Sequence, residues 1–397
     1  MRQPTQAQTK EIFVFQNYRS PWMNEELDML RTTARRFFET EVAPHADKWR
    51  QQHYIDKSVW LKAGELGLVG VSFPQEYGGH GGTYAHDVVI MEEQARVCDT
   101  SFGYVPGAFG APMTLLLTGT PEQIRRWMPS IVRGEKLLAF CATEPGAGTD
   151  IKTLRTTARR EGDEYVINGS KMFITHGMRS ELAIVAARTG GPGAKGISLF
   201  MVEKDKAPGF KVSKVLEKMG QHGLDTCEIF LDDVRVPAAN LLGEVEGNGF
   251  GKMMDSFVKE RMTIAVTAIA SAERAIELTL EHVKQREMFN QTLWDFQNTK
   301  FKLAECASVA RIGRVFIDNL IQRLVEGTDP PTAEEAAMAK VWCSEQQWKI
   351  VDECLQLFGG YGYMQEYPIC HFMMDARIQR LYGGSNEVLK DLIARKL

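Results

Sequence analysis

From Gly251 to about Arg286 the apolar residues recur at helical spacing. Over some 35 residues at ~1.5 Å each, that helix would be roughly 50 Å long. Further long helical patterns follow from about Gln297 to Glu326, from Thr332 to Phe358, and from Asn386 to the end. Thr332 and Glu335 form a capping box at the start of one of them. Long amphipathic helices joined by short turns imply a bundle. The first third of the chain is helical too, in shorter pieces. Asn24 is an N-cap candidate ahead of Leu27, Leu30, Ala34, Phe37, Phe38 and Val42, and Pro44 lies near that helix's end. Helical stretches follow near Ser58 to Leu66, Ala85 to Val97 and Ala111 to Thr118. Thr120-Pro-Glu-Gln123 is a second capping box; it opens a helix carrying Ile124, Trp127, Met128 and Ile131 inward, and Gly134 stops it. Residues 1 to about 20 read as a loosely held arm.

The character changes at Leu137. Tyr165 to Ile174 reads as a hairpin on the Asn168-Gly169 turn. Short strands follow at Leu182–Ala187, Ile197–Val202, Phe210–Val212 and Glu228–Leu231, separated by Gly, Pro and Asp clusters. That rhythm indicates a small antiparallel barrel or sandwich. Pro237 and the glycine-rich run from Leu242 to Phe250 mark its exit. The expected fold is mainly α with a central β domain: a helical N-terminal domain over 1–135, a small antiparallel β-barrel over 136–243, and a C-terminal four-helix bundle over 244–397.

Composition narrows the function. A net charge of -4 with 25% charged residues argues against a broad nucleic-acid footprint. The seven cysteines form no Cys-x-x-Cys pair, which suits reduced thiols packed as small core residues and no metal site. No apolar run reaches the ~20 residues of a membrane span, and the N-terminus has no signal-peptide core. These features lead us to expect a soluble intracellular protein.

An apolar run from Leu137 to Phe140 breaks into Thr143-Glu-Pro-Gly-Ala-Gly-Thr149-Asp150. Glycines one residue apart let backbone N–H groups converge, which suits a loop holding a phosphate or a flat heteroaromatic ring. A tight turn after a strand accounts for the same letters. The Gly-x-Gly-x-x-Gly fingerprint and its following helix are missing, which disfavours a nicotinamide-dinucleotide fold. The segment Thr143 to Asp150 closely resembles the flavin-binding signature of the acyl-CoA dehydrogenase family. Further family-like blocks follow in order over nearly the whole chain, which is most similar to the long-chain branch.

The resemblance implies an FAD enzyme that removes two hydrogens across the Cα–Cβ bond of an acyl-CoA thioester. In most of the family the base, a glutamate, stands in the C-terminal segment, where this chain reads Tyr382-Gly383-Gly384-Ser385-Asn386-Glu387. The matching position is Gly383, which has no side chain to accept a proton. The long-chain and isovaleryl enzymes carry the base on the first long bundle helix, and there Glu260 sits at the matching position in Phe257-Val-Lys-Glu260-Arg261. A glutamate there could equally pair with Arg261 or Lys259 on a solvated face. The glycine at 383 together with the glutamate at 260 selects Glu260 as the base, with the Gly383 N–H left to stabilise the enolate.

By the same resemblance Phe140, Cys141, Ala142, Thr143, Gly148 and Thr149 form a first flavin loop, and Phe173, Ile174 and Thr175 a second. Arg286 and Gln297 resemble the pair that reaches a neighbouring subunit's cofactor. Gln356, Leu357, Phe358, Gly359 and Gly360 pass its adenine end, and Ser385, Asn386 and Glu387 complete the set. Acyl-CoA contacts fall on Thr149, Ala194, Lys195, Val258, Lys259, Glu260, Arg261, Gly383 and Gly384. The chain departs from the family at Gly251, where the long-chain relative has an aromatic residue, and at Asn290, where Gly is usual. The small residues from Pro106 to Ala111 suggest a roomy acyl tunnel, hence long or branched chains. The implied partners are an electron-transfer flavoprotein and further copies of the chain, as a homotetramer built from two dimers. The compartment would be the bacterial cytoplasm or the mitochondrial matrix. Competing readings are a same-fold flavoprotein acting on carrier-protein-bound acyl groups or as an oxidase or monooxygenase, and a non-catalytic assembly scaffold; Glu260 favours proton abstraction over oxygen chemistry and, with the flavin set, counts against a scaffold.

Overall fold

The computed structural model describes residues 18–397, so most of the expected N-terminal arm lies outside the described residues. Helix starts are set by side chains that satisfy orphan backbone N–H groups. Asn24 Oδ1 accepts from the Leu27 N–H at 2.9 Å to open α1 (Glu25–Phe37), which buries Leu27, Ala34 and Phe37. After α2 (Ala46–Gln52), α3 (Lys57–Glu65), α4 (Tyr84–Arg96) and α5 (Ala111–Thr118), the Thr120–Gln123 box opens α6 (Pro121–Val132). Gln123 Nε2 also donates to the carbonyls of Ala239 (2.9 Å) and Leu241 (2.7 Å). One capping residue thus ties the helical layer to the exit of the sheet. A π-helical turn at Val105–Gly110, which the periodicity does not reveal, leads into α5.

The sheet comprises β1 (Leu138–Cys141), β2 (Thr157–Glu161), β3 (Glu164–Thr175), β4 (Leu182–Arg188), β5 (Ile197–Glu203), β6 (Phe210–Val215) and β7 (Thr226–Pro237), in the order β1-β4-β2-β3-β7-β6 with β5 on β4. It curls around a core of its own that includes Cys141, Tyr165, Ile167, Val185, Phe200 and Ile229. Most ladders are antiparallel, but β1 pairs with β4 in parallel and β2 touches β4 in parallel.

The hairpin expected on Asn168-Gly169 is not formed. β3 runs through both residues with a register shift between Ile167 and Gly169 against β7. Asn168 is held in the bulge, donating to Asp233 Oδ1 (2.9 Å) and accepting from the Asp233 N–H (2.9 Å). A Cβ at Gly169 would lie 2.4 Å from Thr156 Oγ1, so glycine is there for close approach rather than for a turn. The actual turn is Gly162-Asp163, joining β3 to β2, a strand the sequence reading missed because only Ala158 faces inward.

Beyond the sheet, α7 (Gly249–Gln285) runs for 37 residues, about 55 Å. A small hairpin, β8 (Glu287–Met288) and β9 (Gln291–Thr292), turns the chain into α8 (Gln297–Glu326). Phe289 and Asn290 take left-handed backbone at its tip (φ 50° and 62°), a conformation asparagine tolerates, so the departure from the usual Gly is accommodated. The Thr332–Glu335 box then opens α9 (Ala333–Phe358), which packs chiefly against α7, and α10 (Pro368–Ala376) and α11 (Asn386–Ala394) close the bundle. Cys98 is half-buried and the six other cysteines are buried, all as free thiols. Among the described residues no helix is long and apolar enough to cross a membrane, and no cluster of His, Cys, Asp or Glu could hold a metal.

Candidate active site

β1 delivers Phe140, Cys141 and Ala142 to a loop whose shape is fixed by a buried ion pair. Lys171, wholly enclosed on β3, donates to Glu144 Oε1 (2.8 Å) and to the carbonyls of Ala142 (3.2 Å) and Ala186 (2.7 Å). Glu144 also accepts from the N–H groups of Arg155 (2.6 Å) and Thr156 (2.9 Å). Burial pushes the Glu144 carboxyl up, but the Lys171 ammonium and these donors outweigh it, so its pKa lies below the usual range. The Met172 N–H donates to Thr143 O at 2.9 Å, locking this loop to Phe173-Ile174-Thr175. Phe173 sits in left-handed backbone (φ 59°) with 65% of its surface exposed, unusual for a large aromatic. Gly148 and Thr149 are exposed, and a Cβ at Gly146 would meet nothing within 4 Å. The chain's own packing leaves this face open, with hydroxyls at Thr143, Thr149 and Thr175 beside it, which fits the FAD that the resemblance implies.

Glu260 lies near the start of α7 on a face with buried Met253 and Ile264 and half-buried Met254 and Phe257. Its side chain is partly accessible yet closely hemmed in by protein. Among the described residues nothing hydrogen-bonds or ion-pairs with its carboxylate, Lys259 and Arg261 included. Burial raises its pKa, and the charge of Arg261 only moderates the rise. Arg261 turns away, with its guanidinium over the Phe257 ring at 5.5 Å and Nε donating weakly to Gly383 O at 3.5 Å.

That contact brings the C-terminal turn against the Glu260 helix. Gly383 and Gly384 both take left-handed backbone (φ 65° and 92°). The space a Cβ at 383 would need is already filled: Ile264 Cδ1 stands 2.5 Å from it. Among the described residues the Gly383 N–H donates to no acceptor. Burial raises the Tyr382 hydroxyl, and the Glu260 charge reaches it as well. Ser385 stands at the N-cap position of α11 without a side-chain capping bond, Asn386 is buried, and Glu387 is exposed in the first turn. Val258 and Lys259 are half-buried beside Glu260, and the Ala194-Lys195 turn lies against the entry to α7, where a Cβ at Gly247 would come within 2.3 Å of Lys195 O.

The remaining expected residues are elsewhere. Arg286, Gln297 and the run Gln356, Leu357, Phe358, Gly359, Gly360 gather at the opposite end of the bundle, where Arg286 lies over the Tyr361 ring at 5.8 Å and His282 stacks on Phe358 at 4.1 Å. By helix rise Arg286 is about 39 Å from Glu260 along α7. A Cβ at Gly359 or Gly360 would meet nothing within 4 Å. The expected site residues thus fall in two separate clusters of one chain, each a half-site of the expected set. Two residues that sequence reasoning assigned no part, Lys171 and Lys340, shape the first half-site. Burial of a lysine belongs to the packed state, so no sequence signal pointed to either.

A cavity of about 380 Å³ lies apart from all of these, lined by Arg31, Arg35, Glu92, Glu93, Glu273 and Arg314 among others. Its charges pair off: Arg31 with Glu92 (2.8 Å), Arg35 with Glu93 (2.8 Å) and Arg314 with Glu273 (2.6 Å).

Three family models match in sequence: the acyl-CoA dehydrogenase N-terminal domain over residues 24–135, middle domain over 139–234 and C-terminal domain over 247–397. The chain is 41% identical over 377 residues to the mitochondrial long-chain specific acyl-CoA dehydrogenase of Mus musculus, covering 94% of this chain and 87% of the relative. An acyl-CoA dehydrogenase from Geobacillus kaustophilus superposes with a TM-score of 0.91 at 39% identity, covering 95% of this chain and 99% of that one. A glutaryl-CoA dehydrogenase from Mycobacterium smegmatis, solved with FADH2, superposes with a TM-score of 0.87 at 25% identity, covering 94% and 95%. With its helices, curled sheet and bundle in this order, and its first half-site open where the flavin signature lies, the chain belongs to the acyl-CoA dehydrogenase family of FAD enzymes.

Proposed function

We propose that the protein dehydrogenates long or branched acyl-CoA thioesters to trans-2-enoyl-CoA, with Glu260 as the base. The observation that carries this reading is the carboxylate of Glu260, hemmed in but without a partner, on the helix that packs against the Gly383 turn. FAD, when bound, supplies the two-electron acceptor to which the β hydrogen leaves as hydride. Glu260 takes the α proton, and its raised pKa makes it a stronger base than a solvated carboxylate. The Gly383 N–H is a donor for the thioester oxygen as negative charge gathers there. Phe140 to Thr149 and Phe173 to Thr175 hold the flavin, Ser385 to Glu387 border it, and Ala194, Lys195 and Val258 to Arg261 line the path of the acyl-CoA.

The far half-site supports assembly. Arg286, Gln297 and Gln356 to Gly360 lie too far from Glu260 to serve the same cofactor in one chain. A second copy would bring them to it, and a guanidinium suits a pyrophosphate. The reading therefore includes a homotetramer as a dimer of dimers, units bounded near residues 135 and 243, and an electron-transfer flavoprotein as acceptor. The likeness to the mouse long-chain enzyme supports the chain-length assignment. Anaerobic mixing of the purified flavoprotein with straight, branched and cyclic acyl-CoAs tests it. Bleaching by long or branched thioesters, with no turnover on O₂ alone, is expected. A flavin that none of them bleaches overturns the reading, and brisk turnover with O₂ favours an oxidase.

A further inference from the structure

Lys340 on α9 is fully buried, and both of its acceptors belong to a single turn. Its Nζ donates to Gly384 O (2.8 Å) and to Asn386 Oδ1 (2.8 Å). Asn386 Nδ2 in turn donates to Ser344 Oγ (3.2 Å) on the same helix. The turn has few other means of staying put, since Gly383 and Gly384 offer no side chains and both sit in left-handed backbone. From the α7 side it receives the long bond from Arg261 Nε to Gly383 O and lies beside Ile264. A hydroxyl or amide would satisfy such acceptors without burying a charge, so an ammonium here needs a reason.

We propose that Lys340 is a positioning residue that holds the Gly383-Gly384 turn where its N–H meets the thioester oxygen, and that its charge favours the enolate. This rests on the dehydrogenase reading above. Two cations, Lys340 on α9 and Arg261 on α7, donate to the carbonyls of this turn, and positive charge so close favours negative charge developing beside it. Arg380 before the turn adds to them, while Glu345 on α9 and Glu387 on α11 offset part of that field. Burial, then the Arg261 charge, brings the Lys340 ammonium down to about 8. The cation is thus retained at neutral pH although its surroundings disfavour it, and it loses its proton in mildly alkaline solution.

The test uses the full-length flavoprotein with Lys340→Met, Lys340→Gln and Lys340→Arg. The probe is a 3-ketoacyl-CoA, a carbon acid whose enolate absorbs in the near ultraviolet, titrated on the protein by pH. The wild type should lower the probe's apparent enolisation pKa. Lys340→Met should raise it again by about one unit, tenfold in the equilibrium. Its kcat should fall by about 10- to 100-fold while KM changes little, the mark of a misplaced donor. Lys340→Arg, which keeps the charge, should recover part of both effects. If Lys340→Met does not accumulate with flavin, Lys340→Gln decides, since it keeps the hydrogen bonding but not the charge. A wild-type enolisation pKa with wild-type kcat in Lys340→Met overturns the role of Lys340, and the same result in Lys340→Gln overturns the part given to its charge. A wild type that leaves the probe's enolisation untouched overturns the dehydrogenase reading instead.

Discussion

One helix, α7, carries two kinds of buried carboxylate. Glu260 near its start has no hydrogen-bonded or ion-paired partner among the described residues. Glu273 and Glu277, three to five turns on, are gripped: Glu273 by Arg314 at 2.6 Å, Glu277 by Arg274 (3.2 Å) and Arg96 (3.3 Å). Burial raises the pKa of all three, and guanidinium charges pull each back. Desolvation alone therefore does not distinguish a base from a structural ion. What differs is whether the oxygen lone pairs are already in use. The charged cavity around Glu273 holds its carboxylates in pairs, whereas the Glu260 carboxylate, without a partner among the described residues, suits the base we propose.

The largest effect expected is on turnover. Glu260→Gln should keep flavin and lose activity by about 10³- to 10⁴-fold, while Glu273→Gln should stay within a few-fold per flavin. Equal losses in stopped-flow reduction of the two variants would erase the contrast. Next comes stability. Arg314→Met leaves Glu273 without its guanidinium and Glu92 with Arg31 alone, so denaturant unfolding should show a loss of about 3–5 kcal/mol. Turnover per bound flavin should barely change.

A third experiment moves the base. Glu260→Gly with Gly383→Glu should be far below wild type, because a side chain at 383 must take left-handed backbone (φ 65°) and push Ile264 Cδ1 aside. Adding Ile264→Ala should recover about tenfold, the ~1.4 kcal/mol coupling expected of contacting sites. A double variant as active as the triple would show that Ile264 blocks nothing. The smallest effect is in pH. A base with a raised pKa works when deprotonated, so kcat/KM should fall as pH drops through that raised value. Arg261→Met removes the lowering charge and should move this limb to higher pH. The same shift makes ionised Glu260 a cost to stability, since the unfolded chain holds its carboxyl proton less tightly. Glu260→Gln should therefore melt slightly higher than wild type at neutral pH, and the gap should close in acid, below both pKa values. A limb that moves the other way in Arg261→Met would refute the electrostatic account.

Much of the fold was legible because it rests on local rules. Asn24, Thr120 with Gln123, and Thr332 with Glu335 cap the helices their spacing announces. Where local rules mislead, a distant partner decides. Asn168-Gly169 has turn chemistry, but Asp233 and Thr156 make it a bulge. The loop signature at Thr143 to Asp150 was readable; that Lys171 holds it in shape was not, because burying a lysine is a property of the packed state. The same holds for Lys340, and for Ile264 over Gly383, which are far apart in sequence. Glu260 became legible only as half of a comparison with position 383.

Because α7 is unbroken from Gly249 to Gln285, the carboxylate near one end and the arginine just beyond the other are fixed in distance and in phase. Gaining or losing one residue between them would swing one end about 100° around the axis and slide it about 1.5 Å. Along this rod the letters are free to drift while the count is not. The helix acts as a gauge between those two side chains.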